Sequence, residues 1–233
     1  MDIDVLGGLQ VLENGVPLAP ATPETLQVLA MLAAHPDQVV PVSMLAEELL
    51  THAPAEYTRS VLHSCVRQLR ELLAAALGRA AGSDRTPETV LVALPGGYLL
   101  DSGGGRIDLH EFMRDTGAGY RSMALGDFEN AARRLRSALG LWRGPAFDGV
   151  IAGKRLAERI AALEEARLSI LDQWVEAELA LGRQRELLSE LAALTAQHRT
   201  QENPHGHYTA ALQRSGRRAE AVGAHRTPYR YST

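Results

Sequence analysis

The stretch that most constrains the fold is residues 55–77. Leu62, Val66, Leu69, Leu73 and Ala76 recur there at helical spacing, and no glycine or proline interrupts them. Such a stripe predicts a helix of roughly six turns with one apolar side. A helix of this kind must bury its stripe against other elements, so the segments flanking it decide the architecture.

Upstream, Met1, Ile3 and Val5 alternate with Asp2 and Asp4, and Asn14-Gly15 separates Leu9–Leu12 from Val16–Leu18. Period-two alternation and an Asn-Gly pair predict a small antiparallel sheet. Thr22 as N-cap with Pro23 at the first helical position opens helix one, which carries Leu26, Leu29, Ala30 and Ala33 and stops at His35-Pro36. Val39-Val40 reads as a short extended piece. Ser43 is placed to cap helix two, with Leu45 and Leu49 one turn apart, and Thr51–Pro54 interrupts it before helix three.

Downstream, Gly78–Pro87 reads as a loop. Val90-Leu91-Val92 and Pro95-Gly96-Gly97-Tyr98-Leu99-Leu100 then read as two strands around a tight glycine turn. A sheet, three helices and a terminal hairpin are the parts of a winged helix-turn-helix, an α+β domain placed here at residues 1–102. In that architecture helix three enters the major groove of double-stranded DNA and the hairpin lies along the backbone.

Ser102-Gly103-Gly104-Gly105 reads as a linker, after which Ala, Leu, Arg and Glu dominate in helical patterns. An all-α domain is therefore expected at residues 107–233. Leu181-Gly182-Arg183 with Glu186-Leu187 recurs as Ser215-Gly216-Arg217 with Glu220-Ala221, and Leu125-Gly126-Asp127 is a similar junction upstream. The offset of about 34 residues is the tetratricopeptide period, in which stacked helix pairs expose a concave surface suited to a partner.

The arc of helix three opposite its leucine stripe holds Arg59, Ser60, His63, Ser64, Arg67, Arg70 and Glu71. Arginine pairs bidentately with guanine, and histidine and serine bond base edges or phosphates. Arg59, Ser60, His63, Ser64, Arg67 and Arg70, with Gly96, Gly97 and Tyr98 of the hairpin, are the candidate DNA-binding residues. Two plainer readings stand beside this one: a solvated helix face carries arginines in many proteins, and a hairpin turn requires glycine by itself.

Charge opposes the DNA reading. To Arg106 the chain carries 6 arginines and no lysine against 12 acidic residues, within a formal net charge of -4 for the whole. Because duplex affinity comes largely from neutralised phosphates, this half should bind nonspecific DNA weakly. An alternative follows, a protein-interaction module whose winged helix has lost DNA affinity.

Enzyme chemistry finds no support in the motifs. There is no nucleophile elbow, dinucleotide fingerprint or His-Glu-x-x-His, and Gly149–Lys154 falls one residue short of a phosphate loop, which reads as a helix-joining turn. Cys65, the lone cysteine, permits neither an intrachain disulfide nor a thiolate zinc site, and His205 with His207 lacks a third ligand. No cofactor is implied. With no apolar run of eighteen residues and no leader pattern, the expected location is the cytoplasm, with no membrane partner.

Specific marks remain. Val5-Leu6-Gly7 with Leu9 stands near the start. Arg59, Leu62, Val66, Leu69-Arg70 and Leu73 lie on helix three, and Pro95–Leu100 forms the hairpin. Ile107-Asp108-Leu109-His110-Glu111-Phe112, Ala138–Ala146 and Ala177–Arg183 follow. In these segments the chain resembles the Streptomyces antibiotic regulatory protein family, which joins an OmpR-type winged helix to a bacterial transcriptional activation domain. The resemblance implies a pathway-specific activator of a secondary-metabolite cluster. It would bind promoter direct repeats as two protomers, a homodimer at least on DNA, and recruit RNA polymerase holoenzyme. With neither an ATPase domain nor sensor repeats in the sequence, the small class of the family is expected.

Overall fold

The computed structural model describes residues 1–49, 55–78, 84–183 and 187. They fall into two compact units. One comprises Met1–Phe112 with Gly140–Glu165, the other Met113–Leu139 with the residues from Ala166 onward. Residues 140–165 pack with the N-terminal elements in the first of these units.

The first unit opens with strands β1 (Asp2–Asp4), β2 (Gln10–Glu13) and β3 (Val16–Pro17), antiparallel in the order β1-β2-β3. Asn14 and Gly15 take φ of 51° and 75°, the left-handed pair that a two-residue hairpin turn requires. Helix α1 (Pro23–Ala33) starts as the sequence predicts, with Thr22 extended and its side chain accepting from the Thr25 N–H at 3.3 Å. Strand β4 (Val39–Pro41) leads into α2 (Val42–Leu49), which begins one residue before the expected Ser43 cap. Helix α3 spans Ala55–Leu77.

The stripe on α3 is buried as its spacing demands. Leu62, Leu69, Leu73 and Ala76 are at most 1% exposed, packed with α1 and α2, whose Val28, Leu29, Leu32, Leu45 and Leu49 complete the core. A short helix α4 (Pro87–Val90) follows, where the sequence reading had a loop running into a strand. Thr86 and Thr89 cap it reciprocally, with Pro87 in its first turn. Strands β5 (Leu91–Leu94) and β6 (Gly97–Leu100) form the hairpin, and β4 joins it in a second sheet of order β4-β6-β5.

The segment read as a linker is pinned. Ser102 is buried, and both its N–H and its hydroxyl donate to the Asp37 carboxylate, at 2.7 and 2.8 Å. The Arg106 N–H donates to Asp2 at 2.9 Å, and the Ile3 N–H donates to the Arg106 carbonyl at 2.8 Å. Three glycines there serve tight turns and close backbone approach: Gly103 and Gly104 have positive φ, and Gly105 lies against the Met1 backbone.

Within the second unit, residues 113–124 of α5 (Asp108–Ala124) pair with α6 (Phe128–Gly140) across a glycine contact. A Cβ at Gly119 would overlap the Leu135 side chain. Asp115–Arg134 at 2.9 Å and Ser122–Asn130 at 2.7 Å flank that contact. The junction at Leu125-Gly126-Asp127 has Gly126 at φ 73°, and Asp127 caps α6 by accepting from the Asn130 N–H. Helix α7 (Lys154–Ala180) buries Trp174 and is followed by a turn with Gly182 at φ 74°. The Trp174 indole N–H has no acceptor among the described residues. The repeat copy at Ser215–Ala221 and the pair His205 and His207 lie outside the described residues.

Candidate nucleic-acid interface

Burial separates α3 into two sides. Arg59, Ser60, His63, Arg67 and Glu71 are exposed and Ser64 is half-buried, whereas Thr58, Leu62, Cys65, Val66 and Leu69 are buried. Helical geometry at about 100° per residue puts the exposed set on one arc, as the sequence predicts. Burial pushes the Cys65 thiol up from its ordinary value, so it stays a neutral core group.

Arg70 has a different setting from the other two arginines. It is half-buried, and its Nη2 donates to the Leu91 carbonyl at 3.0 Å, tying α3 to the first strand of the hairpin. Arg67 projects into solvent, with its Nε 3.9 Å from the Glu71 carboxylate one turn on. Of the other described arginines up to residue 106, Arg85 pairs with Glu13 and Asp101, and Arg106 pairs with Asp4 and Glu111. Arg59 and Arg67 are thus the cations that α3 presents outward.

At the hairpin, Gly96 sits exposed in the turn at φ 84°, next to the exposed Leu94. Gly97 is buried, and a Cβ there would lie 2.6 Å from the Val40 carbonyl oxygen and 2.7 Å from a Val39 methyl. Its glycine is required by the close approach of β4. Tyr98 is half-buried and faces α3 across a cleft of about 510 Å³, lined also by His63, Arg67, Arg70 and Glu71 from α3 and by Glu88 from α4. The structure therefore brings His63, Arg67, Arg70 and Tyr98 into one cleft and leaves Gly97 to the sheet.

Sequence reasoning missed the buried carboxylates that hold this unit together. The Asp108 side chain, 0% exposed, accepts from the Val5 and Leu6 N–H groups at 2.9 and 3.0 Å and from Arg143 Nη2 at 2.7 Å. Around it the Arg143, Phe147 and Asp148 N–H groups donate to the carbonyls of Leu6, Val5 and Gly7, and Phe112 packs edge-on against Trp142 at 5.5 Å. Three sequence marks far apart in the chain, Val5-Leu6-Gly7, Ile107–Phe112 and Ala138–Ala146, are one buried node.

Glu48, 1% exposed, plays a similar part. Its carboxylate accepts from Gly153 and Leu156 N–H groups and from Gln27 Nε2. A carboxylate thus occupies the start of α7, which confirms Gly149–Lys154 as a helix-joining turn. Next to it Arg155 bonds Glu47 at 2.7 Å and holds that carboxyl below the usual carboxylate range. The one cue was placement: Glu48 stands beside Leu49 in an apolar run, and Asp108 stands between Ile107 and Leu109.

Among the described residues no three His, Cys, Asp or Glu side chains are grouped to hold a metal, and no helix is long and apolar enough to cross a membrane. Winged helix and helix pairs together define a class, the transcription regulators that carry a DNA-binding unit on a helical partner. The model of the bacterial transcriptional activator domain matches residues 107–232, and that of the transcriptional regulatory protein C-terminal family matches residues 17–85.

Among relatives, the chain is 38% identical over 96% of its length to the regulatory protein DnrI of Streptomyces peucetius, covering 82% of that protein. It is 35% identical to the transcriptional regulatory protein EmbR of Mycobacterium tuberculosis over 97% of its length, covering 56% of that one. A solved structure of EmbR in complex with a low affinity phosphopeptide superimposes with a TM-score of 0.75 at 34% identity, covering 97% of this chain and 57% of that one. The regulatory protein AfsR of Streptomyces coelicolor is 29% identical and is covered over 21% of its length. The chain belongs to the Streptomyces antibiotic regulatory protein family. It is a transcriptional regulator, not an enzyme.

Proposed function

We propose that this regulator is a sequence-specific DNA-binding activator, with the exposed face of α3 as its reading surface. The observation that carries this is the segregation on α3: Arg59, Ser60, His63 and Arg67 are exposed on one side of a helix whose other side is core. In this reading α3 lies in the major groove, Arg59 and Arg67 take phosphates or guanine edges, and Ser60, His63 and Ser64 contribute hydroxyl and imidazole contacts. Arg70 sets the angle between α3 and the hairpin, Tyr98 lines the cleft between them, and Gly96 shapes the tip that approaches the neighbouring backbone.

The finer reading follows the family resemblance. The regulator acts in the cytoplasm on promoter direct repeats, as paired protomers, recruiting RNA polymerase holoenzyme to a secondary-metabolite gene cluster, with residues 1–102 binding DNA and 107–233 forming the activation domain. Salt-titrated fluorescence anisotropy on promoter DNA from its own gene neighbourhood tests the core of it. Binding should weaken with salt, and Arg59→Ala or Arg67→Ala should each make the slope of log affinity against log salt shallower by about 0.9. Folded protein that binds no duplex at low salt would favour the protein-interaction module.

A further inference from the structure

We infer that Glu71 and Glu88 are specificity-determining residues that lower affinity for nonspecific DNA more than affinity for the operator. This rests on the DNA-binding reading of the same face. Both carboxylates line the cleft with Arg67 and Tyr98, one from α3 and one from α4, and Glu71 also pairs with Arg67 at 3.9 Å. The Arg67 and Glu71 side chains are 72% and 69% exposed, so the pair is held loosely and exchanges readily for another anion.

The consequence follows from where the two kinds of complex get their affinity. A nonspecific complex relies on phosphate neutralisation, and the outward cations of α3 are few. Two carboxylates within a Debye length of the same phosphates repel them, and Glu71 competes with the phosphate for Arg67. In the operator complex the same repulsion acts, but base-edge contacts fix a register in which the carboxylates gain partners of their own. A carboxylate in the groove can also accept from a cytosine N4 amino group. The carboxylates therefore subtract mainly from the nonspecific term.

The test compares the intact protein with Glu71→Gln, Glu88→Gln and the double variant, each on a random-sequence duplex and on the duplex that the wild-type protein selects from a random library. The expected result is a gain of about three- to tenfold on random duplex for the double variant, with a smaller gain on the selected one. The gain of Glu71→Gln on random duplex should come largely through Arg67, which a phosphate then takes without competition, and should shrink when Arg67→Ala is added. Unchanged affinity for random duplex, beside wild-type binding to the selected one, overturns the inference and leaves the DNA-binding reading standing. If no variant binds any duplex at low salt while circular dichroism shows it folded, the DNA-binding reading fails and takes the inference with it.

Discussion

Two arginine–carboxylate pairs in the N-terminal unit do opposite things. Arg143 meets Asp108 at 2.7 Å, and Asp108 is wholly buried and further bonded by the Val5 and Leu6 N–H groups. Arg67 meets Glu71 at 3.9 Å with both side chains in solvent. The first carboxylate satisfies backbone donors that nothing else reaches, so removing it strands them away from water. The second pair competes with water at every moment, and its loss costs the fold almost nothing. Charge placed in the interior of this unit fixes its shape, while charge on α3 stays available for exchange.

The strongest way to break the comparison is to neutralise the buried side. Asp108→Ala should cost about 2–5 kcal/mol, because it leaves the buried Val5 and Leu6 N–H groups without their acceptor, while Arg143, 43% exposed, can turn to water. Thermal or urea denaturation measures this, and a loss no larger than that of a surface substitution would mean that the node contributes little. Gly97→Ala should follow with about 1–3 kcal/mol, as its Cβ must push the Val40 carbonyl and shift β4 from β6. The exposed pair gives the smallest effect. Arg67→Ala should change stability by no more than about 0.5 kcal/mol while weakening DNA binding, so its two readouts separate fold from function.

Much of this architecture was legible in the sequence because its signals are local. Asn14-Gly15 specifies its turn, Thr22-Pro23 starts α1, and the spacing of Leu62, Val66, Leu69 and Leu73 sets which side of α3 is core. Helix α4 was equally local, since Thr86-Pro87 repeats the Thr22-Pro23 signal, but it is only one turn long and runs directly into β5. Asp108 and Glu48 were not legible. The backbone N–H groups they accept from lie about a hundred residues away, and an acidic residue on an amphipathic helix ordinarily faces water. The pinned glycine segment failed to show for the same reason: its composition is that of a linker, and only the distant Asp37 and Met1 make it rigid.

For the candidate site, periodicity gave the arc on α3 but not the differences within it. Arg59, Arg67 and Arg70 look alike in sequence, and only the Leu91 carbonyl marks Arg70 as the one that holds the hairpin. Gly96 and Gly97 are likewise adjacent and identical, yet one is set by its φ of 84° and the other by the approach of Val40. Neighbours across space supply those distinctions.

The central claim, that the exposed side of α3 enters the major groove, is tested most directly by cleavage of DNA from Ser60. The native thiol, Cys65, is buried and held neutral, so Ser60→Cys provides a single reactive site for an iron-chelate reagent. The account predicts cuts on both strands clustered around one major groove of the selected duplex. Labelled protein that still binds that duplex but leaves it uncut would place α3 away from the groove and contradict the account.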